Sequence, residues 1–478
     1  MRSCKLLLSL VAISANFLCS RPVSAHQQDP PEQPKPAARA YPTLLDTTDE
    51  QRSAADQEPA LTPDLTPLTG LQTPTLGSQV LRHSYWVPGF QYSSMFQSQN
   101  LSSSASGWTA NHYLVGTLSL LDAWSQAELS LNYSGGGFIS NDKTFGNGNY
   151  QQLGVTQDFN LGRLQLRFLD QFSYLPESQF GFGGATNLGT PGAGGALVPS
   201  LPGLGTNVTP NQSIFSSAGP RYSNAFAPQI TYALSSRGSV TVAGSYGILR
   251  FSDTGNFGSD NLLGSFGYNY TLTPRDSIGV AYRFSTFHFQ ANPQAIGDHT
   301  ASFAYSHKIT GRLALQLYGG PEFTQLRVPV NGKSTFLSGS GAASLTYAFE
   351  RGGLSLNYNH GVSGGAGILL GSSTDYLTLA GNRQISRKWN AQGSSGYAFN
   401  RSIANGTPLN PQQSFSSWFI TAGLTRLLTP DANFVVGYTA RFQSSSAAAC
   451  TLPGCAANFT QHQISLGFQW SARPMIIR

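Results

Sequence analysis

Charge is scarce in this chain of 478 residues: only 10% are Asp, Glu, Lys or Arg, whereas soluble globular proteins carry about 25%. A disordered chain would have few aromatics, but 12% of these residues are Phe, Tyr or Trp. Beyond the N-terminus no run of about 18 apolar residues occurs, which excludes a bundle of transmembrane helices. Glycine, proline and small polar residues take the place of charge.

Cysteine is also rare, with four residues in the whole chain. Cys450 and Cys455 flank the turn-forming sequence Thr-Leu-Pro-Gly, and in an oxidising compartment we expect them to form a local disulfide. A zinc site there is not expected, because no histidine or second cysteine pair lies near enough to complete four ligands.

Residues 1–25 have the features of a secretory signal peptide: two early bases, an apolar stretch over 6–18, and a small-residue site. This pattern predicts cleavage between Ala25 and His26. The alternative is lipidation of Cys19, but the residues before it are bulkier than a typical lipobox requires.

Residues 26–79 form a second compositional zone, rich in proline, with eight acids against three bases. Such a segment is expected to be extended and without a fold of its own. We interpret it as a periplasmic leader. A tether for a periplasmic partner and a small plug remain open alternatives.

Turn signals recur along the rest of the chain. Their centres lie at residues 122, 162, 237, 275, 311, 351, 387 and 430, which gives intervals of 40, 75, 38, 36, 40, 36 and 43 residues. Each ordinary interval fits one strand, one loop and one returning strand. The single long interval contains the Gly- and Pro-rich stretch 175–220.

The segments beside these turns alternate with period two, as where Leu313, Leu315 and Leu317 interleave with Ala314 and Gln316. Runs of about ten to twelve such residues match a tilted strand that crosses a bilayer. The large apolar face should therefore contact lipid, and the small polar face should line a wet lumen. The turns are short, whereas the predicted loops between them are longer, at roughly 135–149, 175–220, 252–259, 291–297, 326–334, 363–373, 401–413 and 444–459. Short turns on one side and longer loops on the other predict that the turns are periplasmic.

Eight turns join 16 strands, and a further strand is predicted at about 460–471. A strand at about 85–97 restores an even number and gives 18, with 16 as the alternative. The predicted fold is all-β: a transmembrane antiparallel up-and-down barrel formed by residues 80–478.

The segment from Gln463 to Trp470 resembles the C-terminal β-signal of Gram-negative outer-membrane barrels of the porin type. Ser465 stands where that signal usually has glycine, and eight residues follow Trp470. The resemblance implies an outer-membrane location, recognition by the barrel-assembly machinery, and contact with outer-membrane lipid and lipopolysaccharide.

No catalytic set is visible in the sequence. The eight histidines are scattered, and the Gly-rich stretches lack the Gly-Lys-Ser/Thr ending of a phosphate loop. The bases are spread singly, which does not favour nucleic-acid binding. We predict no enzyme activity, no cofactor and no bound metal.

The alternation places bases and acids on the inner face, with more bases, which favours a weak anion preference. Alternatively, these charges pair and only maintain the shape of the barrel. Asp170 falls on the lipid face, where we expect a bulge that turns it inward. The predicted pore-lining residues are Glu128, Asp158, Arg163, Gln165, Arg167, Arg283, Lys308 and Arg441, with Arg312 and Glu350 beside turns.

These patterns predict a channel for passive diffusion of small polar solutes, with the stretch 175–220 either folded into the bore as a constriction or lying on the surface. Two alternatives remain: a barrel associated with polysaccharide export, and a non-conducting structural or adhesion barrel that uses its outer loops.

Overall fold

Long antiparallel strands account for most of the computed structural model of the protein. Within the described ranges, no helix has the length and hydrophobicity that a bilayer-crossing helix requires. The described residues are 61–63, 72–74, 84–98, 107–141, 147–175, 214, 221–252, 257–290, 292–328, 332–364, 369–403, 413–446 and 458–477.

Each of the eight predicted turns joins two antiparallel strands, because the alternating segments on either side pair with each other. A separate two-stranded sheet pairs β1 (Leu61–Pro63) with β2 (Gln72–Pro74). The barrel strands are β3 (Tyr85–Gln97), β4 (Thr109–Ala123), β5 (Ala127–Ser140), β6 (Gly148–Leu161), β7 (Leu164–Leu175), β8 (Arg221–Ala233), β9 (Gly238–Phe251), β10 (Ser259–Thr271), β11 (Asp276–Phe289), β12 (Asn292–Thr310), β13 (Leu313–Val328), β14 (Gly332–Phe349), β15 (Gly352–Ser363), β16 (Ser372–Ser386), β17 (Trp389–Ser402), β18 (Ser414–Thr429), β19 (Ala432–Ser445) and β20 (Phe459–Ser471).

Pairing of β20 with β3 closes the sheet into an 18-strand barrel, which confirms the predicted fold class and strand number. The strand that resembles a β-signal is thus the closing strand, and the Trp470 ring lies 5.8 Å from the Phe90 ring across the seam. The residues after Trp470 contribute β21 (Met475–Ile476), which pairs with Trp86 and Tyr85 at the turn end of β3.

The two faces of the barrel are inverted relative to a soluble protein. Outward side chains are large, apolar and exposed, as with Leu114 (61%) and Phe303 (55%). Inward side chains are small, polar and buried, as with Ser93 (0%) and Thr300 (2%). A water-soluble sheet would bury the apolar face, so this arrangement is stable only where an apolar medium surrounds the barrel.

Three local expectations were wrong. The segments 291–297 and 326–334 were expected to be loops, but β12 begins at Asn292 and β13 continues to Val328. Asp170 does not turn inward, since β7 pairs with both neighbours in unbroken register. Its carboxylate stays on the outer face and accepts a hydrogen bond of 2.8 Å from the side-chain amide of Asn224, which satisfies it without a bulge.

Gly320 marks a close approach between β12 and β13, because a Cβ atom there would collide with the carbonyl oxygen of Ala301. We predict that Gly320→Ala lowers the free energy of unfolding by about 1–3 kcal/mol, as overpacking does. Gly339→Ala on β14 is the matched control, because nothing lies within 4 Å of the added atom. Urea unfolding of the folded barrel, followed by tryptophan fluorescence, measures both. Equal stability of the two variants would contradict this prediction.

Candidate functional site

The inner wall is built from hydroxyl and amide side chains that hydrogen-bond to one another across strands. Thr231 pairs with Thr241 at 3.3 Å between β8 and β9, and Ser173 with Ser223 at 2.7 Å between β7 and β8. Period-two alternation places these groups on one face, so the wall is polar without being strongly charged.

A cluster of three charged residues lies on the inner wall at β11, β12 and β13; we call it the Arg283 cluster. Nη2 of Arg283 lies 3.7 Å from Oδ2 of Asp298 and 3.8 Å from Oε1 of Glu322. One guanidinium therefore lies between two carboxylates. Opposite charges at this distance offset part of the cost of burying the acids.

Hydrogen bonds hold both carboxylates in the wall. Asp298 accepts from the hydroxyls of Thr324 (3.1 Å) and Thr300 (3.3 Å). Glu322 accepts from the hydroxyl of Ser338 (3.1 Å) and from the backbone N–H of Val362 (3.2 Å).

Exposure differs sharply within the Arg283 cluster. The side chains of Asp298 and Glu322 are 0% and 1% exposed, but that of Arg283 is 30% exposed. The acids are shielded by the wall, whereas the guanidinium faces the lumen. A solute passing the cluster therefore meets the guanidinium, whose charge the two neighbouring carboxylates compensate.

Toward the loop end, the wall above the Arg283 cluster becomes apolar. The inward side chains Phe287, Phe289, Ile296 and Leu326 form a buried group. The chain after β15 covers this group: Leu369 is 2% exposed, and the carbonyl of Leu370 accepts a hydrogen bond of 2.7 Å from the side-chain amide of Gln294.

Gly371 makes this approach possible. Its φ of +87° is unfavourable for other residues, and a side chain there would collide with Ile296. The described ends of the segment between β15 and β16 therefore fold inward over β11 to β13 and narrow the lumen on that side. This inward fold was not predicted, because the segment is short and rich in glycine and carries no local signal of its contacts.

The predicted constriction in residues 175–220 lies almost entirely outside the described residues. Ile214, which is described, is 1% exposed. That part of the prediction stays a prediction, and so do the disulfide between Cys450 and Cys455 and the cleavage between Ala25 and His26, whose residues are not described.

Two predicted lining residues form an ion pair. Arg167 on β7 and Asp158 on β6 are direct cross-strand neighbours, joined by bonds of 2.5 Å (Nε to Oδ1) and 2.7 Å (Nη2 to Oδ2). Glu128 on β5 is the next residue along the same row. The charge of Arg167 is thus largely compensated, which fits the alternative that these groups maintain the wall.

Arg441 takes part in a polar ladder across the closing seam. Its Nη1 donates a hydrogen bond of 3.1 Å to the side-chain oxygen of Gln461 on β20. Nε2 of Gln461 in turn donates a hydrogen bond of 3.1 Å to the side-chain oxygen of Gln97 on β3. Gln461 and Gln97 are both neutral residues.

The other predicted lining residues have different positions. Gln165 lies on the inner face near the turn, half-buried, while Lys308 is inward but 2% exposed, so its charge is shielded from solutes. Arg163 is exposed at a turn, and Arg312 lies in a turn 3.8 Å from Glu350, with both side chains largely exposed.

Asp298 and Glu322 are not among the predicted lining residues. Asp298 directly follows the predicted loop 291–297, and Gly319, Gly320 and Pro321 interrupt the alternation of β13. Continuing the alternation from Leu313 would have placed Glu322 inward. Among the described residues, no group of three His, Cys, Asp or Glu side chains is arranged to hold a metal ion.

No protein-family model and no curated protein matches the chain. Similar solved structures include the outer membrane protein OpdK from Pseudomonas aeruginosa (10% identity, 81% of this chain and 99% of that chain, TM-score 0.42). Others are Acinetobacter baumannii OccAB1 (11%, 81% and 96%, 0.41) and a BenF-like porin from Pseudomonas fluorescens Pf-5 (9%, 81% and 99%, 0.42).

The ion pair of Arg167 and Asp158 is about four-fifths buried. We predict a coupling energy of about 1–3 kcal/mol in a double-mutant cycle of Arg167→Gln and Asp158→Asn, because each single change strands a partly buried charge. The exposed pair of Arg312 and Glu350 is the control and should show no measurable coupling. Denaturant unfolding of the four variants in each cycle supplies the values. Similar coupling energies in both pairs would refute the conclusion that burial strengthens the pair of Arg167 and Asp158.

Proposed function

We propose that this protein is an outer-membrane channel of Gram-negative bacteria through which small polar solutes diffuse passively. The observation that carries the proposal is the inverted barrel: 18 closed strands with an exposed apolar exterior and a polar inner wall. Closure satisfies every strand edge, as a bilayer demands. The barrel is long enough, since even its shortest strands, β7 and β15, have 12 residues.

A lumen lined by hydroxyls and amides suits neutral solutes such as sugars. At the Arg283 cluster the group that faces the lumen is the guanidinium, while Asp298 and Glu322 are buried beside it. Between the turns and the loops, the described inner face carries a near balance of bases (Arg167, Arg221, Arg283, Lys308, Arg441) and acids (Glu128, Asp158, Asp298, Glu322). The preference for anions is therefore weak.

In this proposal, residues 1–25 direct export and are removed, residues 26–79 form a periplasmic leader, and residues 80–478 form the barrel. The barrel-assembly machinery inserts the chain through its closing strand. Lipopolysaccharide contacts the exterior, and the leader is available to a periplasmic partner. The activity is permeation, and no enzymatic step is part of it.

Single-channel recording in a planar bilayer tests the proposal directly. The folded wild-type barrel should give stable conductance steps and a reversal potential that indicates weak anion preference. Protein that is shown to be folded but gives no steps would overturn the channel and favour an occluded barrel that works through its outer loops.

Arg441 offers a test of the anion preference, because it lies on the inner face, where it donates a hydrogen bond to Gln461, and its replacement removes one positive charge from that face. We predict that Arg441→Gln shifts the reversal potential toward cations without abolishing conductance. Arg426→Gln is the matched control, since Arg426 lies on the outer face with its guanidinium 5.4 Å from the Trp389 ring. If both substitutions shifted selectivity equally, the inner-face assignment of Arg441 would be wrong.

A further inference from the structure

The outer face changes character in three steps at the loop end of β11 to β14. Phe284, His299, Phe323 and Leu337 are cross-strand neighbours in the last outward row that carries large apolar side chains, of which Phe323 is 48% and Leu337 69% exposed. The next outward row, two residues nearer the loops, is Thr286, Gly297, Gln325 and Thr335. On β13, the hydrocarbon boundary of the proposed membrane therefore lies between Phe323 and Gln325.

The third row is basic and consists of His288, Ala295, Arg327 and Lys333, again cross-strand neighbours. Arg327 lies four residues beyond Phe323, or about 13 Å along an extended strand. With a strand tilt of about 35–45°, the rise along the membrane normal is about 10 Å. Long Arg and Lys side chains at this height reach the headgroup layer.

Arg327 and Lys333 lie directly opposite each other on β13 and β14, and both are exposed. Like charges in this position destabilise a sheet. Neither forms an ion pair with any other described residue. The tip that joins the two strands, residues 329–331, reads Pro-Val-Asn and supplies no acid. Two adjacent cations without a counter-ion favour an anionic ligand at this point.

The surroundings leave room for such a ligand. Ala295 and Gly297 have small side chains or none, so the outer face of β12 is recessed at this level. His288 on β11 lies on one side of the recess and Arg327 on β13 on the other. The nearby Asp260 does not cancel the positive charge of the row, because Nη2 of Arg250 binds its two carboxylate oxygens at 2.8 and 3.1 Å.

We infer that Arg327 and Lys333, with His288 beside them, bind the phosphate groups of an outer-leaflet glycolipid, the phosphorylated lipid A portion of lipopolysaccharide. Arginine and phosphate form charge-assisted bidentate hydrogen bonds, and lysine adds a point charge. The acyl chains would lie along the apolar rows below. This inference rests on the proposed outer-membrane location, and it assigns the binding site for that lipid.

Native mass spectrometry of the full folded chain in detergent tests the site, with bisphosphorylated lipid A and its dephosphorylated form as probes. The wild type should retain the bisphosphorylated lipid in preference. The double variant Arg327→Gln with Lys333→Gln should bind it about tenfold more weakly, since the charged hydrogen bonds are lost. Binding of the dephosphorylated lipid should not change.

The matched control is Arg387→Gln with Lys388→Gln, which removes the same charge from an exposed turn at the opposite end of the barrel. It should bind lipid A as the wild type does. Equal binding by both double variants, or equal binding of both lipids by the wild type, would overturn the site. Heat-modifiable gel mobility verifies that each variant is folded. If the double variant does not fold, Arg327→Gln alone replaces it and is expected to weaken binding by about threefold.

Failure of the channel proposal is distinguishable from failure of this site. Conductance is recorded in phosphatidylcholine bilayers without lipopolysaccharide, where both double variants should match the wild type. A wild type that does not conduct but still discriminates between the two lipids would leave the site standing. Conversely, a conducting wild type without lipid discrimination would remove only the site.

Discussion

The pairing of β20 with β3 is the contact on which the rest of the structure depends. In an apolar medium an unpaired strand edge leaves backbone N–H and C=O groups without partners, so a sheet of this kind is stable only when it closes. Closure also defines an inside and an outside. Once β20 lies against β3, period-two alternation assigns every side chain to one face, and the ladder from Arg441 through Gln461 to Gln97 crosses the seam on the inner face.

The Arg283 cluster shows how the inner wall can carry charged side chains without selecting strongly between anions and cations. Burying Asp298 and Glu322 would be costly without Arg283 between them and without the hydroxyls that donate to each. Glu322 also accepts a hydrogen bond from the backbone N–H of Val362, near the end of β15 and just before the segment that folds inward. The same carboxylate thus helps to position the narrowing segment and the guanidinium that faces the lumen.

The sequence predicts the repeating part of this fold well, because alternation and short turns are local signals. The closing strand was predicted in this way, and the strand at 85–97 was added because an odd number of strands would leave the N-terminus on the wrong side of the membrane. Features that depend on neighbouring strands were not predictable. Asp170 stays outward because Asn224, which is 54 residues away in the chain, satisfies it. Pro321 and the two glycines before it interrupt the alternating pattern that would place Glu322 on the inner face. The inward fold at Gly371 depends on contact with Ile296.

The longest strands explain why the apolar inner wall and the basic outer row lie at the same end of the barrel. β12, β13 and β14 have 19, 16 and 18 residues, more than a bilayer crossing requires. Their excess length lies at the loop end, beyond the apolar row that ends at Phe323 and Leu337. On the inside, this extension of β12 and β13, together with the end of β11, provides the apolar wall that the chain after β15 covers. On the outside, it lies at headgroup height, where lipid no longer favours apolar side chains and cations such as Arg327 and Lys333 are stable.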